Sequence, residues 1–441
     1  MSTFQSLPGF REFYPEDCAA RNGLFRAWRA AARRQGFVEY DAPVLEPLEL
    51  YQEKSGEEIK SQLFEFEDKG GRKVALRPEM TPSLARLVAA KAGSLRKPLK
   101  WFSIGEMYRY EKPQKGRGRS FYQFNADILG ESGVGADAEC IALLVEALKE
   151  CGLGEGEFEV RISDRKLWFL FLQAYGLDEK KALEVFTIVD KWGRDPETVT
   201  KGKLLKYLPD EGVERIFSSI KESTTKYMLL GDVMTGKVEY LNARGKDIIE
   251  LFKCLESLGI SGKLVKQDMS IVRGLAYYTG FVFEAYQTVG TARALAGGGR
   301  YDDLLMKLGG VDMPAVGFGM GDMTVSDLLN ELKRPLTDEG KLDIYLVIGS
   351  DKERPEALKL VGQFRAAGLS VDYPLKEEKF GKQFKTAEQC GARLAVILGP
   401  DEVAAGQVKI KDMLSRVEVA VPNNPGLPAN VREIVEKGLP A

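Results

Sequence analysis

Residues 105–127 read GEMYRYEKPQKGRGRSFYQFNAD, two strand-like runs around a short loop. From Lys112 to Arg119 the loop holds four basic residues, no acid and two glycines that let the backbone approach a ligand closely, which suits a polyphosphate. By charge alone a solvated hairpin tip fits at least as well. The strand after the loop decides for a site: Phe121, Gln123 and Asp127 stand at even spacing and share one face, offering an aromatic ring, an amide and a carboxylate together.

Working outward, strand patterns recur at Leu63–Phe66, Val74–Leu76, Leu99–Tyr110 and Ser120–Leu129, with turn-rich segments between them, which predicts an antiparallel sheet. Helical spacing covers Asn22–Arg34 and returns at Cys140–Leu148, so the first 160 or so residues read as α+β and not as a βαβ array. Phe37 to Val44 reads as a strand carrying Pro43, a residue expected at a sheet edge or bulge. Glu79, just past the strand ending at Leu76, is a carboxylate suited to an amino group.

Between 165 and 265 the chain turns Leu/Lys/Glu-rich, with helical spacing at Asp178–Trp192 and Asp247–Leu258, and reads as a helical insertion. A strand pattern then resumes at Ser270–Tyr286. Residues 271–286, IVRGLAYYTGFVFEAY, set Arg273 beside Tyr277 and Tyr278: a planar donor fork for an anion next to two rings with polar tips. Gly297–Asp302 and Val316–Gly321 follow, then a Pro- and Gly-containing charged linker at Arg334–Gly340. Beyond it strand and helix alternate through Leu398, a compact α/β unit.

Composition narrows the function. At 441 residues, 44% hydrophobic and 29% charged, the chain predicts a soluble protein of two to three domains. A net charge of -2 makes any nucleic-acid contact a matter of local basic patches. Five scattered cysteines without a CxxC pair argue against a disulfide framework or a cysteine zinc site and fit a reducing cytoplasm. Met1 to Arg11 has no apolar signal region and no run of about 18 apolar residues occurs, so neither secretion by this signal nor membrane spanning is expected. The chain contains no histidine, which leaves the chemistry to carboxylates, Arg, Lys, Tyr and bound metal.

Taken together these motifs resemble the class II aminoacyl-tRNA synthetases, and their combination resembles the histidyl-tRNA synthetase family. Arg109–Asp127 is similar to that class's motif 2, Pro43 falls where motif 1 carries its dimer-interface proline, and Val272–Glu284 with Gly298–Asp302 resemble the two histidine signatures. The resemblance covers nearly the whole chain. It implies an antiparallel-sheet catalytic core over 1–164 and 266–333, a helical insertion over 165–265, and an α/β anticodon-binding domain over 341–441.

It also implies roles. Arg109 would bind the α-phosphate of ATP, Glu111 the adenine edge and Arg117 the outer phosphates, while Phe121 would stack on adenine. Glu79 and Gln123 would hold the ammonium and carboxylate of histidine. Asp127 and Tyr278 would bind its imidazole, Tyr277 would line the pocket, and Arg273 would be the family's catalytic arginine. Mg²⁺, tRNA(His), a cytoplasmic homodimer and no membrane complete the implied setting. The residue types suit the chemistry: fixed guanidiniums and Mg²⁺ stabilise the negative charge gathered at phosphorus, and a buried acid selects imidazole over an apolar side chain. Gly381, Lys382, Gln383 and Lys385 fit a tRNA contact or a solvated helix start equally well.

Two departures stand out. The family's Arg-Gly-Leu-Asp-Tyr-Tyr is here Arg273-Gly274-Leu275-Ala276-Tyr277-Tyr278, and motif 3, which usually ends Gly-Leu-Glu-Arg, has Thr324 in the arginine's slot. Arg293 and Arg300 are the candidates to replace that arginine. Its loss also keeps a second reading open, a non-catalytic histidine-sensing regulatory subunit of ATP phosphoribosyltransferase; the α/β domain from Lys341 favours the synthetase, because such relatives typically lack it.

Overall fold

Pro15 at the first helical position, with Glu16 and Asp17 in the first turn, starts helix α1 (Pro15–Arg34) well before Asn22, where the apolar periodicity places it. Proline gives up an amide that has no partner there, and the acids face the positive end of the helix dipole. The computed structural model describes residues 4–52, 61–114, 116–192, 195–221, 238–272, 277–290, 293–337 and 342–438, with backbone alone over 238–243. The chain divides into two units, Met1–Asp338 and Glu339–Ala441.

Of the strand expected over Phe37–Val44 only β1 (Val38–Glu39) forms, β2 (Leu45–Pro47) begins just beyond it, and Pro43 lies in the connection. Lacking an amide hydrogen, Pro43 cannot serve a ladder, so the chain leaves one sheet and enters another across it. β2 pairs in a three-stranded sheet with β3 (Glu65–Glu67) and β4 (Lys73–Leu76), in the order β2-β4-β3, beside the short helix α2 (Glu49–Gln52). Helix α3 (Thr81–Ala89) follows, again with proline in its first turn.

The main sheet has eight strands in the order β1-β5-β6-β11-β10-β9-β7-β8, formed by β1, β5 (Leu99–Tyr108), β6 (Ser120–Leu129), β7 (Phe158–Asp164), β8 (Val265–Gln267), β9 (Phe281–Gln287), β10 (Ala294–Arg300) and β11 (Ala315–Gly321). Its interior pairs are antiparallel as expected; the outer pairs β1·β5 and β7·β8 are parallel. The strand expected over Ser270–Tyr286 begins only at Phe281, so Tyr277 and Tyr278 stand on the loop leading into β9, where they are freed from the pleat's alternation.

Between β7 and β8 the described residues form five helices, α5 (Arg165–Ala174), α6 (Glu179–Val189), α7 (Glu197–Leu204), α8 (Asp210–Lys221) and α9 (Val238–Ser257), counting α4 (Val134–Glu150) before β7. Short α10 (Leu304–Gly309) and α11 (Asp322–Glu331) flank β11.

Alternation along β6 sorts the two faces of the sheet. Phe124, Ala126 and Ile128 point to a core built with α1 and α4, where Trp28 stacks on Phe124 at 5.5 Å and Phe124 meets Phe318 edge to face at 5.5 Å. Such aromatic pairs add about 0.5–1.5 kcal/mol each beyond the area they bury. Phe121, Gln123, Asn125 and Asp127 point to the opposite face, toward α3 and the tyrosines 277, 278 and 301.

The second unit is a five-stranded sheet ordered β13-β12-β14-β15-β16, made of β12 (Ile344–Ile348), β13 (Val371–Asp372), β14 (Leu394–Leu398), β15 (Gln407–Asp412) and β16 (Glu418–Pro422). The first three strands are parallel, joined by α12 (Arg354–Ala366) and α13 (Phe380–Gln389), and the last two add antiparallel. Small α14 (Pro400–Ala404) and the closing α15 (Leu427–Lys437) complete it. β12 and β14 are buried on both faces, which is why they read as continuous apolar runs. Gln383, one of the residues weighed for tRNA, is instead internal: its amide accepts Ile348 N–H and donates to Ile348 C=O, both at 2.8 Å, clamping α13 onto β12.

Candidate active site

The pocket lies on the face of the sheet opposite α1 and is made by what its strands carry and by what they lack. Gly317 on β11 pairs with Asp127 on β6, and Gly319 with Asn125. A Cβ on Gly317 would sit 1.8 Å from Asp127 Oδ1, and one on Gly319 would sit 2.4 Å from Gln123 Nε2. Glycine there is a requirement of space, and it lets the acid and the amide lie flat across the neighbouring strand.

Asp127 is buried and accepts the Tyr301 hydroxyl at 2.5 Å. Burial pushes its carboxyl up to about 7, against the opposing pull of the Tyr301 hydrogen bond. The Tyr301 hydroxyl is in turn held well above its ordinary value, by burial first and the Asp127 charge second. Across the pocket the Tyr277 hydroxyl donates to Glu79 Oε2 at 3.0 Å, and the three rings of Tyr277, Tyr278 and Tyr301 pack edge to face at 5.1 and 5.9 Å. Two carboxylates, each held by a tyrosine hydroxyl, are therefore linked through the packed rings of Tyr277 and Tyr301.

Beside it stands the basic loop. Arg109 Nε donates to the Pro78 carbonyl at 3.0 Å, and its guanidinium lies 5.2 Å from the centre of the Phe121 ring. Glu111 is half-buried and faces Arg117 at 3.5 Å, while the Arg117 side chain is largely exposed. A half-buried guanidinium, an aromatic ring and an exposed outer arginine thus stand together, with Glu79 one residue beyond the carbonyl that orients Arg109. Arg273 lies outside the described residues.

Sequence reading missed two members. Tyr301 stands within a recognised signature, but its bond to Asp127 depends on a register that no local pattern announces. Arg77, only 3% exposed, donates from Nη1 to the Ala42 carbonyl at 2.7 Å and to Asp41 at 3.0 Å, and from Nε to the Glu106 carbonyl at 2.9 Å. It pins the Glu79 segment between the end of β1 and β5; a basic residue two positions before a site acid is the only sequence signal for it.

A family model described as Histidyl-tRNA synthetase matches residues 9–324, and an anticodon binding domain model matches residues 343–424. The chain belongs to the histidyl-tRNA synthetase family.

Among its relatives, the Histidine--tRNA ligase of Opitutus terrae is 51% identical over 423 residues, covering 96% of this chain and 97% of that protein. The chloroplastic/mitochondrial Histidine--tRNA ligase of Arabidopsis thaliana is 40% identical over 409 residues, 92% of this chain and 82% of that protein. The solved histidyl-tRNA synthetase from Nostoc sp. PCC 7120 superposes with a TM-score of 0.80 at 26% identity, covering 98% of this chain and 100% of that one. An ATP phosphoribosyltransferase regulatory subunit/histidyl-tRNA synthetase from Bacillus halodurans gives a TM-score of 0.71 at 26% identity over 85% of this chain and 93% of that one.

Within this histidyl-tRNA synthetase fold, the third motif is built differently from the family's usual pattern. Thr324 Oγ1 donates to the Gly321 carbonyl at 3.5 Å, and Asp322 is buried, accepting Tyr122 N–H at 2.9 Å and Arg11 Nη2 at 2.7 Å. Arg11 lies with Phe13, which packs on Tyr122 and so belongs to the α1 side of the sheet. Arg300 is removed from the candidates for the missing arginine. It is 5% exposed, meets both Asp137 oxygens at 2.6 to 3.1 Å, and donates to the carbonyls of Glu131 and Gly133 at 3.1 and 3.3 Å. A guanidinium so engaged joins β10 to α4 and has no donor geometry left for ATP.

Proposed function

We propose that the chain is a histidine--tRNA ligase. It activates histidine with ATP and transfers the histidyl group to the 3′ end of tRNA(His). The observation that carries this reading is the paired-acid pocket, Asp127 with Tyr301 and Glu79 with Tyr277, set against the Arg109–Phe121 side in a chain whose family matches run through the anticodon binding domain.

In the first step a carboxylate oxygen of histidine attacks the α-phosphorus, the bond to the β-phosphate breaks, and pyrophosphate leaves. In the second a ribose hydroxyl at the tRNA 3′ end attacks the activated carbonyl carbon and AMP leaves. Glu79 and Gln123 hold the ammonium and carboxylate end of histidine. Asp127 and Tyr278 receive the imidazole and Tyr277 lines its path; an apolar rival would leave Asp127 buried without a partner. Phe121 stacks on adenine, Glu111 takes its edge, Arg109 and Arg273 stabilise the charge growing on the α-phosphate, and Arg117 reaches the outer phosphates. The enzyme needs no histidine of its own, since histidine is its ligand.

Among the described residues no three Cys, Asp or Glu side chains gather into a metal cage. Mg²⁺ bound with ATP would neutralise phosphate charge, and Glu111, which faces Arg117, would be a carboxylate within its reach. We assign residues 1–164 and 266–333 to the catalytic core, 165–265 to an insertion and 341–441 to anticodon binding, in a cytoplasmic homodimer. No described helix is long and apolar enough to cross a membrane.

Thr324 in the arginine's slot favours the alternative of a histidine-sensing regulatory subunit, and the anticodon binding domain match over 343–424 weighs against it. ATP–pyrophosphate exchange with each amino acid in turn, followed by charging of tRNA(His), decides between them. Exchange with histidine alone is expected; histidine binding without any exchange would overturn the ligase.

A further inference from the structure

A triphosphate whose outer end is released as pyrophosphate needs fixed positive charge there, and this chain lacks the arginine that the family's third motif supplies. Arg11 and Arg300 are both committed elsewhere, the first to Asp322 and the second to Asp137. The connection between β9 and β10 brings in a further guanidinium.

The tip of the basic loop is closed by a pair of backbone bonds between Gln114 and Arg117, at 2.9 and 3.0 Å. Gly116 within it has φ +72, and a Cβ there would lie 2.3 Å from Arg293 Nη1 and 3.5 Å from Arg293 Cζ. The same point is 3.5 Å from Asp327 Oδ2, and a Cβ on the neighbouring Gly118 would lie 3.3 Å from Met323 Sδ. Met323 and Asp327 are one helical turn apart on α11, so this side of α11 faces the loop tip, and Thr324, three residues before Asp327, borders it. The guanidinium of Arg293 therefore occupies the corner between the loop and the start of α11, against Gly116, the residue before Arg117.

We propose that Arg293 binds the outer phosphates of ATP together with Arg117, replacing from the β9–β10 connection the arginine that Thr324 displaces on α11. The inference rests on the ligase reading. A planar fork reaching two phosphate oxygens is a role a threonine hydroxyl cannot fill. Gly116 lets the loop lie directly on that fork, and the Asp327 carboxylate stands at the same corner.

The test separates phosphate binding from bracing of the loop. R293M and R293K are compared with the wild type for the KM of ATP in histidine-dependent exchange, and for inhibition by pyrophosphate and by AMP, which lacks the outer phosphates. R293M is expected to raise the KM of ATP at least about tenfold and weaken pyrophosphate inhibition similarly, the scale of one charge-assisted hydrogen bond. AMP inhibition and the KM of histidine stay within about twofold, and R293K falls between. An ATP KM within about twofold of wild type, or AMP inhibition weakened in the same proportion as ATP, overturns the proposal. Should the wild type show no exchange, the ligase reading falls by itself, and calorimetric titration of wild type and R293M with ATP and with AMP decides the role of Arg293 by the same two criteria.

Discussion

Tyr301 donates its hydroxyl to Asp127 Oδ1 at 2.5 Å, joining the residue just past β10 to the C-terminal part of β6. The bond fixes one oxygen of the acid, and in the proposed ligase the other is the one offered to imidazole. Tyr301→Phe removes the donor that lowers the Asp127 pKa, so that pKa rises beyond about 7 and the acid is more often protonated at neutral pH. The KM of histidine in the exchange assay is expected to rise about tenfold at pH 7.5, from an unsatisfied buried acceptor costing about 1–3 kcal/mol. It recovers partly toward pH 9, where the acid ionises again.

The same acid sets a pH dependence of stability. Its carboxyl is raised from an ordinary 3.8 to about 7 in the fold, chiefly by burial. The folded state therefore favours the protonated form, and the stability that form brings is fully present below about 4 and is lost as pH rises to about 7. Asp127→Asn, neutral at every pH, is expected to melt above the wild type at pH 8, with the gap narrowing as pH falls from 7 toward 4, while histidine-dependent exchange is lost. Thermal melts of both proteins across that range check the sign.

Gly317→Ala would press a methyl group onto Asp127 Oδ1 and the Ala126 carbonyl, 1.8 and 2.9 Å from where its Cβ must go. Backbone cannot yield as a flexible side chain does, so we expect a loss of about 1–3 kcal/mol in stability, typical of overpacking. Exchange activity should fall much further than stability, by about a hundredfold or more, since displacement of a positioned group by about 1 Å costs that much. Denaturant unfolding alongside exchange rates measures both.

Arg300→Met leaves Asp137 buried without its bidentate partner. Breaking such a pair costs about 3–5 kcal/mol, to be read from urea unfolding, yet the KM of ATP for the folded enzyme should not change. A raised KM would return Arg300 to the phosphate site.

β6 was legible to the residue because its alternation continues for ten residues, one face for the core and one for the pocket. The chemistry on that strand was legible for the same reason: Phe121, Gln123 and Asp127 needed only the pleat to be brought together. What escaped is set by partners distant in sequence. The parallel pairing of Val38 with Trp101, the bond of Tyr301 to Asp127 and the use of Arg77 as a three-way brace leave no periodic trace. Pro43 reads as part of a strand over Phe37–Val44 because apolar neighbours mask the break, and the antiparallel β15 and β16 escape notice because strands this short, with mixed polar faces, resemble loops. Arg300 and Arg293 looked interchangeable as cations; only burial and the position of Gly116 tell a structural arginine from one placed at the loop tip.

The missing side chains at Gly317 and Gly319 hold a further lesson. Because the pocket is shaped by absent carbon atoms, every substitution at these two positions is an addition, and none can be reached by trimming. Drift there has no small step to take. A library randomised at both codons and selected for growth should return glycine at each. The space beside Asp127 and Gln123 is thereby held by the least variable chemistry a chain can encode.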